Sequence, residues 1–150
     1  AVINGQILHG LSHPEMGHFR VPRHPEDFGY AGRCPFHGDC LEGLASGPAI
    51  IDRWGCSLSE LPPEHPGTEI IAWYLGQMVS SIQALFDPGR IIMGGGVMVT
   101  PDLINRVRAH AVQASGGYFV GKPEEVICAP GLGEKSGLLG ALALAMQKVN

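Results

Sequence analysis

Apolar residues fall along this chain in a few short strand-like runs and one long helical stripe, separated by stretches with no period at all. Ala1-Val2-Ile3-Asn4-Gly5-Gln6-Ile7-Leu8 reads as strand, turn, strand. Asn-Gly between apolar residues is the strongest short-range hairpin signal. Residues 9 to 40 are rich in Gly, Pro and His and show neither helical nor strand alternation, so a long loop is expected. Loops of that length inside compact domains are usually functional or clipped by something, and a metal is one clip. Asp39 then has the look of an N-cap, with Glu42 completing a capping box. A helix is predicted from about Cys40 to Trp54, broken at Ser46-Gly47-Pro48, where proline suits a new first turn.

Residues 55 to 67 form a polar, proline-rich connection. A stronger helix is predicted from about Thr68 to Phe86, its apolar stripe being Ile71, Tyr74, Leu75, Met78, Ile82 and Leu85. Asp87-Pro88-Gly89 stops it. Arg90-Ile91-Ile92-Met93 reads as a short buried strand, Gly94-Gly95-Gly96 as a turn, and a helix follows from about Pro101 to Ala114. Val126-Ile127-Cys128-Ala129 is the next strand, and Gly131-Leu132-Gly133 leads into a last helix from about Ser136 to Lys148. Strand, helix, strand, helix in this order implies a right-handed parallel unit. The expected class is α/β with an antiparallel hairpin at the start.

Composition narrows the picture. The chain has 150 residues, 45% hydrophobic and 16% charged, which suits one globular domain and excludes disorder. Its 22 glycines are roughly twice average usage and point to tight turns and close backbone approaches. A net charge of −4, with no Lys/Arg cluster, argues against a nucleic-acid surface. No apolar run approaches the ~20 residues of a membrane helix, and no signal-peptide pattern opens the chain, so a soluble, cytoplasmic protein is expected.

The four cysteines are too few for a disulfide scaffold, and their grouping with histidine points to a metal in a reducing compartment. His18, Cys34, His37 and Cys40 are spaced as a metal knuckle, with Pro35 and Gly38 suited to its turns. The fourth ligand is the open choice, because His9, His13 and His24 lie in the same loop. Two thiolates and two neutral imidazoles would cancel the charge of Zn²⁺, and soft, tetrahedral donors favour zinc over Mg²⁺ or Ca²⁺. Four protein ligands leave no open position, so the ion is expected to be structural. Cys56 and Cys128 are expected in the core.

Taken together, Pro14-Glu15-Met16-Gly17-His18, Cys34-Pro35-Phe36-His37-Gly38-Asp39-Cys40 and Leu41-Glu42-Gly43-Leu44-Ala45-Ser46-Gly47 closely resemble the ROK family of repressors, open reading frames and sugar kinases. Ile91 to Val97 resembles its later glycine signature and Gly137 to Ala141 its closing helix. The knuckle spacing is most similar to the bacterial fructokinase branch. The resemblance implies an actin-like (ribonuclease H-like) ATPase fold in which residues 1–150 form the C-terminal lobe. It also implies that an N-terminal lobe, carrying the catalytic aspartate and upstream phosphate loops, precedes Ala1. It assigns sugar binding to Glu15, His18 and Glu42, and adenosine binding to Gly94, Gly95 and Gly96, with Gly131 and Gly133 as further candidates. The implied activity is ATP- and Mg²⁺-dependent phosphorylation of a hexose, most of all fructose, by a homodimer. Glucose or mannose kinases, and sugar-responsive repressors of the same family, are the alternatives. The Gly131 to Gly137 segment does not match a Walker P-loop.

Overall fold

The computed structural model describes residues 1–147. It opens on the predicted hairpin. Strands β1 (Val2–Ile3) and β2 (Gln6–Ile7) pair antiparallel, Val2 against Ile7 and Ile3 against Gln6. Asn4 and Gly5 turn the chain with φ of 52° and 76°, the double positive φ of a type I′ turn.

The following loop contains two single 3-10 turns, Met16–His18 and Pro25–Asp27. It ends at two helices, α1 (Leu41–Ala45) and α2 (Gly47–Trp54). Ser46 separates them at the predicted break. It closes α1 in an extended conformation, and its hydroxyl accepts from the Ala49 amide at 3.3 Å to open α2. The expected Asp39 cap does not form. Cys40 occupies the N-cap of α1 without a side-chain cap, because the Asp39 carboxylate is taken by Arg20 and Arg23. A strong ion pair from residues far away in sequence displaces a local pattern.

Helix α3 (Gly67–Phe86) is the spine of the molecule. Its buried residues, among them Ile70, Ile71, Tyr74 and Val79, cover more than the single predicted stripe. Leu85, assigned to that stripe, is 75% exposed, while Gln83 in the same last turn is buried and donates to the Val120 carbonyl at 2.9 Å. Helix α4 (Leu103–Ala114) lies across α3 and buries Leu103, Val107 and Ala111, a row at spacing four. Gly76 permits this approach: a Cβ there would lie 2.5 Å from the His110 Cβ and 2.9 Å from α4 backbone atoms. Pro101 does not open α4 as expected. It lies in a turn ahead of it, and Asp102 holds the N-cap with φ of 60°.

Strands β3 (Ile91–Ile92) and β4 (Ile127–Cys128) flank α4 in sequence and pair parallel, Ile91 against Ile127 and Ile92 against Cys128. Both are shorter than predicted, since Val126 belongs to the short helix α5 (Pro123–Val126). Arg108 of α4 donates to the Ile127 carbonyl through Nε at 3.1 Å and Nη2 at 2.7 Å, fixing the helix over the strand pair. Cys56 and Cys128, expected in the core, are only partly buried. The last helix, α6 (Ser136–Gln147), follows a 3-10 turn at Gly133–Lys135; Lys148, its predicted end, lies outside the described residues. The molecule is mixed α/β. Among the described residues no helix is long and apolar enough to cross a membrane.

Candidate metal centre and neighbouring cavities

Cys34-Pro35-Phe36-His37-Gly38 closes on itself through a pair of backbone bonds. The Cys34 amide donates to the Gly38 carbonyl at 3.0 Å, and the Gly38 amide returns the bond to Cys34 at 2.9 Å. Gly38 makes the reversal with φ of 63°. This knuckle seats directly on α1, where a Cβ on Gly43 would lie 3.0 Å from Cys34 Cβ and in hard contact with the Gly38 carbonyl. The 3-10 turn at Met16–His18 packs on the same helix, and the Leu41 amide donates to the Phe19 carbonyl at 3.0 Å. Three segments, the knuckle, the 3-10 turn and α1, therefore meet at one point.

At that point lie the donor atoms of His18, Cys34, His37 and Cys40, all within 4.8 Å of one another. His18 Nδ1 is 3.6 Å from both sulfurs, and His37 Nδ1 is 3.6 Å from Cys34 Sγ. Around a tetrahedral ion with typical Zn–S and Zn–N bonds, a sulfur and a nitrogen are about 3.6 Å apart, so the donor set fits such an ion. Of the loop histidines, His24 instead accepts from the Glu26 amide at 3.2 Å, and His13 Nδ1 lies 3.2 Å from Glu15 Oε1.

The two thiols differ in their electrostatic setting. Burial raises the Cys34 pKa, but hydrogen bonds from the backbone amides of His37 and Phe36, from the Cys40 thiol and from the His37 ring outweigh it and bring the thiol down to about 6. Burial, together with the bond to Cys34 and its charge, pushes Cys40 up. Both sulfurs are buried, and a positive ion between them would offset the cost of charging both.

The carboxylates beside the centre differ in setting. With Nδ1 turned to the sulfurs, the other His18 ring nitrogen faces Glu42 Oε2 at 3.5 Å. Glu42 stands in the first turn of α1, and Gly17 leaves room beside it, its absent Cβ lying 3.3 Å from the same oxygen. Glu42 is 52% exposed as a side chain and borders a small cavity of about 180 Å³ with Arg33, Cys34 and Ser46. Glu15 is at the mouth of a different, mostly apolar groove of about 400 Å³ formed with Met16, Phe19, Ile82 and Phe86. The two carboxylates thus flank the metal centre without sharing a cavity.

A buried ionic network, not foreseen from the sequence, anchors the loop to the helices. Asp27 and Arg53 side chains are 5% and 7% exposed and pair at 2.5 Å. The Tyr74 hydroxyl donates to the same Asp27 carboxylate at 2.8 Å, which with burial raises the Tyr74 pKa. Arg23 donates to the carbonyls of Asp27 and Tyr30 and reaches Asp39 at 3.3 Å, while Arg20 binds Asp39 and the His37 carbonyl. Arg53 is sandwiched by the rings of Tyr30 and Trp54, 4.4 and 4.3 Å from their centroids. These partners are up to 47 residues apart, so no local pattern in the sequence points to them.

The glycine segments build a second region. Gly94, Gly95 and Gly133 line a cavity of about 650 Å³ with Met93, Met98, Ile104 and Pro130. Gly96 borders a neighbouring cavity of about 280 Å³, and Gly131 lines neither. Gly94 is needed for packing, as a Cβ would meet Pro130 Cγ at 2.6 Å, whereas a Cβ at Gly95 would meet nothing within 4 Å.

Comparison with known proteins returns one family. The sequence model of the ROK family matches residues 1–148. The fructokinase of Zymomonas mobilis is 45% identical over 152 residues, covering 99% of this chain and 50% of that protein. A putative fructokinase of Bacillus subtilis is 40% identical over 152 residues, covering 98% and 50%. The chain thus spans about half the length of these curated relatives. The solved structure of a ROK hexokinase from Thermus thermophilus shares the fold, with a TM-score of 0.71 at 24% identity over 97% of this chain and 54% of that one.

Proposed function

The chain belongs to the ROK family, and on that premise we propose that it is one lobe of an ATP-dependent hexose kinase acting on fructose. The observation that carries this reading is the 45% identity to a fructokinase across 99% of the chain. The relatives' double length leaves room for a second, N-terminal lobe bearing the aspartate that takes the proton from the sugar's terminal hydroxyl. Phosphoryl transfer of this kind rests on positioning and charge neutralisation, with Mg²⁺ on the phosphates. ATP as phosphoryl donor suits a cytoplasmic enzyme, and a homodimer is the expected assembly.

In this reading His18, Cys34, His37 and Cys40 hold Zn²⁺, supported by the 3.6 Å donor spacings. With all four positions filled by protein, the ion when bound supplies shape and charge balance, and no open site for hydrolysis. Ligation through Nδ1 fixes the direction of the His18 Nε2–H, which then points towards Glu42. A sugar hydroxyl entering beside them would accept from His18 and donate to Glu42. Glu15, on the other side of the His18 turn, is the third sugar contact. Gly94, Gly95 and Gly96, with Gly131 and Gly133, are assigned to the adenosine, supported by the 650 Å³ cavity that three of them line.

ATP consumption by the complete protein across fructose, glucose and mannose tests the proposal. Fructose-dependent turnover yielding fructose 6-phosphate is the expected result. A preference for glucose or mannose would correct the substrate. Sugar binding without ATP consumption on any hexose would overturn the kinase reading in favour of a sugar-responsive repressor.

A further inference from the structure

The 650 Å³ cavity has an uneven lining. Met93, Met98, Ile104 and Pro130 give it an apolar wall, and among the described residues that line it only Ser136 and Glu134 have polar side-chain atoms. Ser136 is already engaged, donating its hydroxyl to the Gly133 carbonyl at 2.6 Å. Glu134 is an exposed residue of the 3-10 turn Gly133–Lys135 that leads into α6, and among the described residues it is the one charged side chain lining the cavity.

We propose that Glu134 binds the 2′- and 3′-hydroxyls of the nucleotide's ribose and makes the protein select ribonucleotides over 2′-deoxyribonucleotides. The inference rests on the assignment of this cavity to adenosine. A carboxylate does not face the triphosphate, because like charges at contact distance repel even in water and more strongly where water is excluded. The phosphates must therefore leave away from Glu134. The purine face belongs on the apolar wall, where methionine sulfur and methylene groups make favourable contacts with aromatic rings. Between base and phosphates lies the ribose, which is the part left to meet the carboxylate. An ionised carboxylate only accepts hydrogen bonds and offers two oxygens, which matches two adjacent hydroxyl donors. The purine edge offers mostly acceptors and, in adenine, one amino group, so it matches less well. A site made to bind a hydroxyl penalises the analogue that lacks it, because its own polar group is left unpaired. The exposure of Glu134 keeps this penalty modest.

The test uses the complete protein, wild type and Glu134→Ala, with ATP and 2′-deoxy-ATP as phosphoryl donors. ADP and 2′-deoxy-ADP are compared in parallel by the shift they cause in melting temperature. Wild type should show a KM for 2′-deoxy-ATP about tenfold above that for ATP, the size expected for a hydrogen bond to a charged group. In Glu134→Ala the ATP value should rise to meet it, leaving discrimination within about twofold, with the sugar KM unmoved. The nucleotide melting shifts should lose their difference in the same way. Equal use of both donors by wild type would overturn the proposal. So would undiminished discrimination in Glu134→Ala, including an equal rise in both KM values, which would put the carboxylate on the base. A wild-type melting temperature unmoved by either nucleotide would instead overturn the adenosine assignment beneath it.

Discussion

At His18 the two ring nitrogens face different groups: Nδ1 lies 3.6 Å from each cysteine sulfur, and Nε2 lies 3.5 Å from Glu42. A metal on the first nitrogen sets the second as a donor of fixed direction. Glu42 was open to two interpretations from sequence, as half of a capping box or as a contact for a ligand. The structure removes the first, since Asp39 is held by Arg20 and Arg23 and gives no cap. Glu42→Gln keeps size and removes charge. We expect it to lower kcat/KM for fructose at least about tenfold while leaving the KM for ATP unchanged, as measured by steady-state kinetics. Unchanged fructose kinetics would remove Glu42 from the sugar site. The clustering of His18, Cys34, His37 and Cys40 was legible because it is largely local, three of the four falling within seven residues. The Asp39 pairing was illegible because it depends on arginines 16 and 19 residues away.

Among the elements, the crossing of α3 and α4 combines two features that substitutions can separate. At Gly76 the helices are in backbone contact, and an added methyl would clash with His110 and Ala111. Alanine is the better helix former by about 1 kcal/mol, but overpacking costs about 1–3 kcal/mol, so the steric term wins. Gly76→Ala should therefore lower stability in denaturant unfolding. A stabilised variant would show that the crossing is looser than described. Nearer the start of α3, Glu69 accepts from Arg106 Nη1 at 2.9 Å and lies 2.7 Å from His110 Nε2. Burial alone would raise the Glu69 pKa, but the bonds and charges of Arg106 and His110 outweigh it and hold the carboxyl below its ordinary 4.5. The contribution is thus full above that value and is lost as pH falls through the depressed one. Glu69 is 48% exposed, so Glu69→Gln should cost no more than about 1 kcal/mol at neutral pH. The gap to wild type, followed by thermal melts, should close on acidification; a gap that widened in acid would contradict the assignment. The order of helices and strands was readable from apolar periodicity. The extent of α3 burial was not, because a helix contacted on several sides loses the single stripe that reading relies on. The two-residue strands β3 and β4 likewise yield to neighbouring turns, which take Val126 into α5.

For the whole molecule, the Asp27–Arg53–Tyr74 network binds the middle of the loop from residue 9 to 40 to α2 and α3, and the proposed metal at His18, Cys34, His37 and Cys40 would hold the loop a second time beside α1. A buried ion pair adds little net stability but is costly to break at one partner, so the network serves mainly to fix one arrangement of the loop. Helix α6 is largely uncovered. Leu138, Leu142, Leu144 and Met146 of α6 are 65%, 52%, 50% and 71% exposed, and a helix apolar around its circumference is ordinarily buried. The proposed second lobe would supply that cover. The clustering of the four candidate donors and the family's residue pattern were legible from the sequence, while the separation of Glu15 and Glu42 into different cavities was not, because it depends on how the loop folds over α3. The central claim is that zinc, by folding this loop, positions the sugar contacts. Calorimetric titration of fructose into the complete protein, zinc-loaded and after chelation to below detection, measures it directly. One zinc per chain is expected, with fructose affinity falling at least about tenfold on its removal while ADP still binds. Equal fructose affinity in the folded, zinc-free protein would contradict the account.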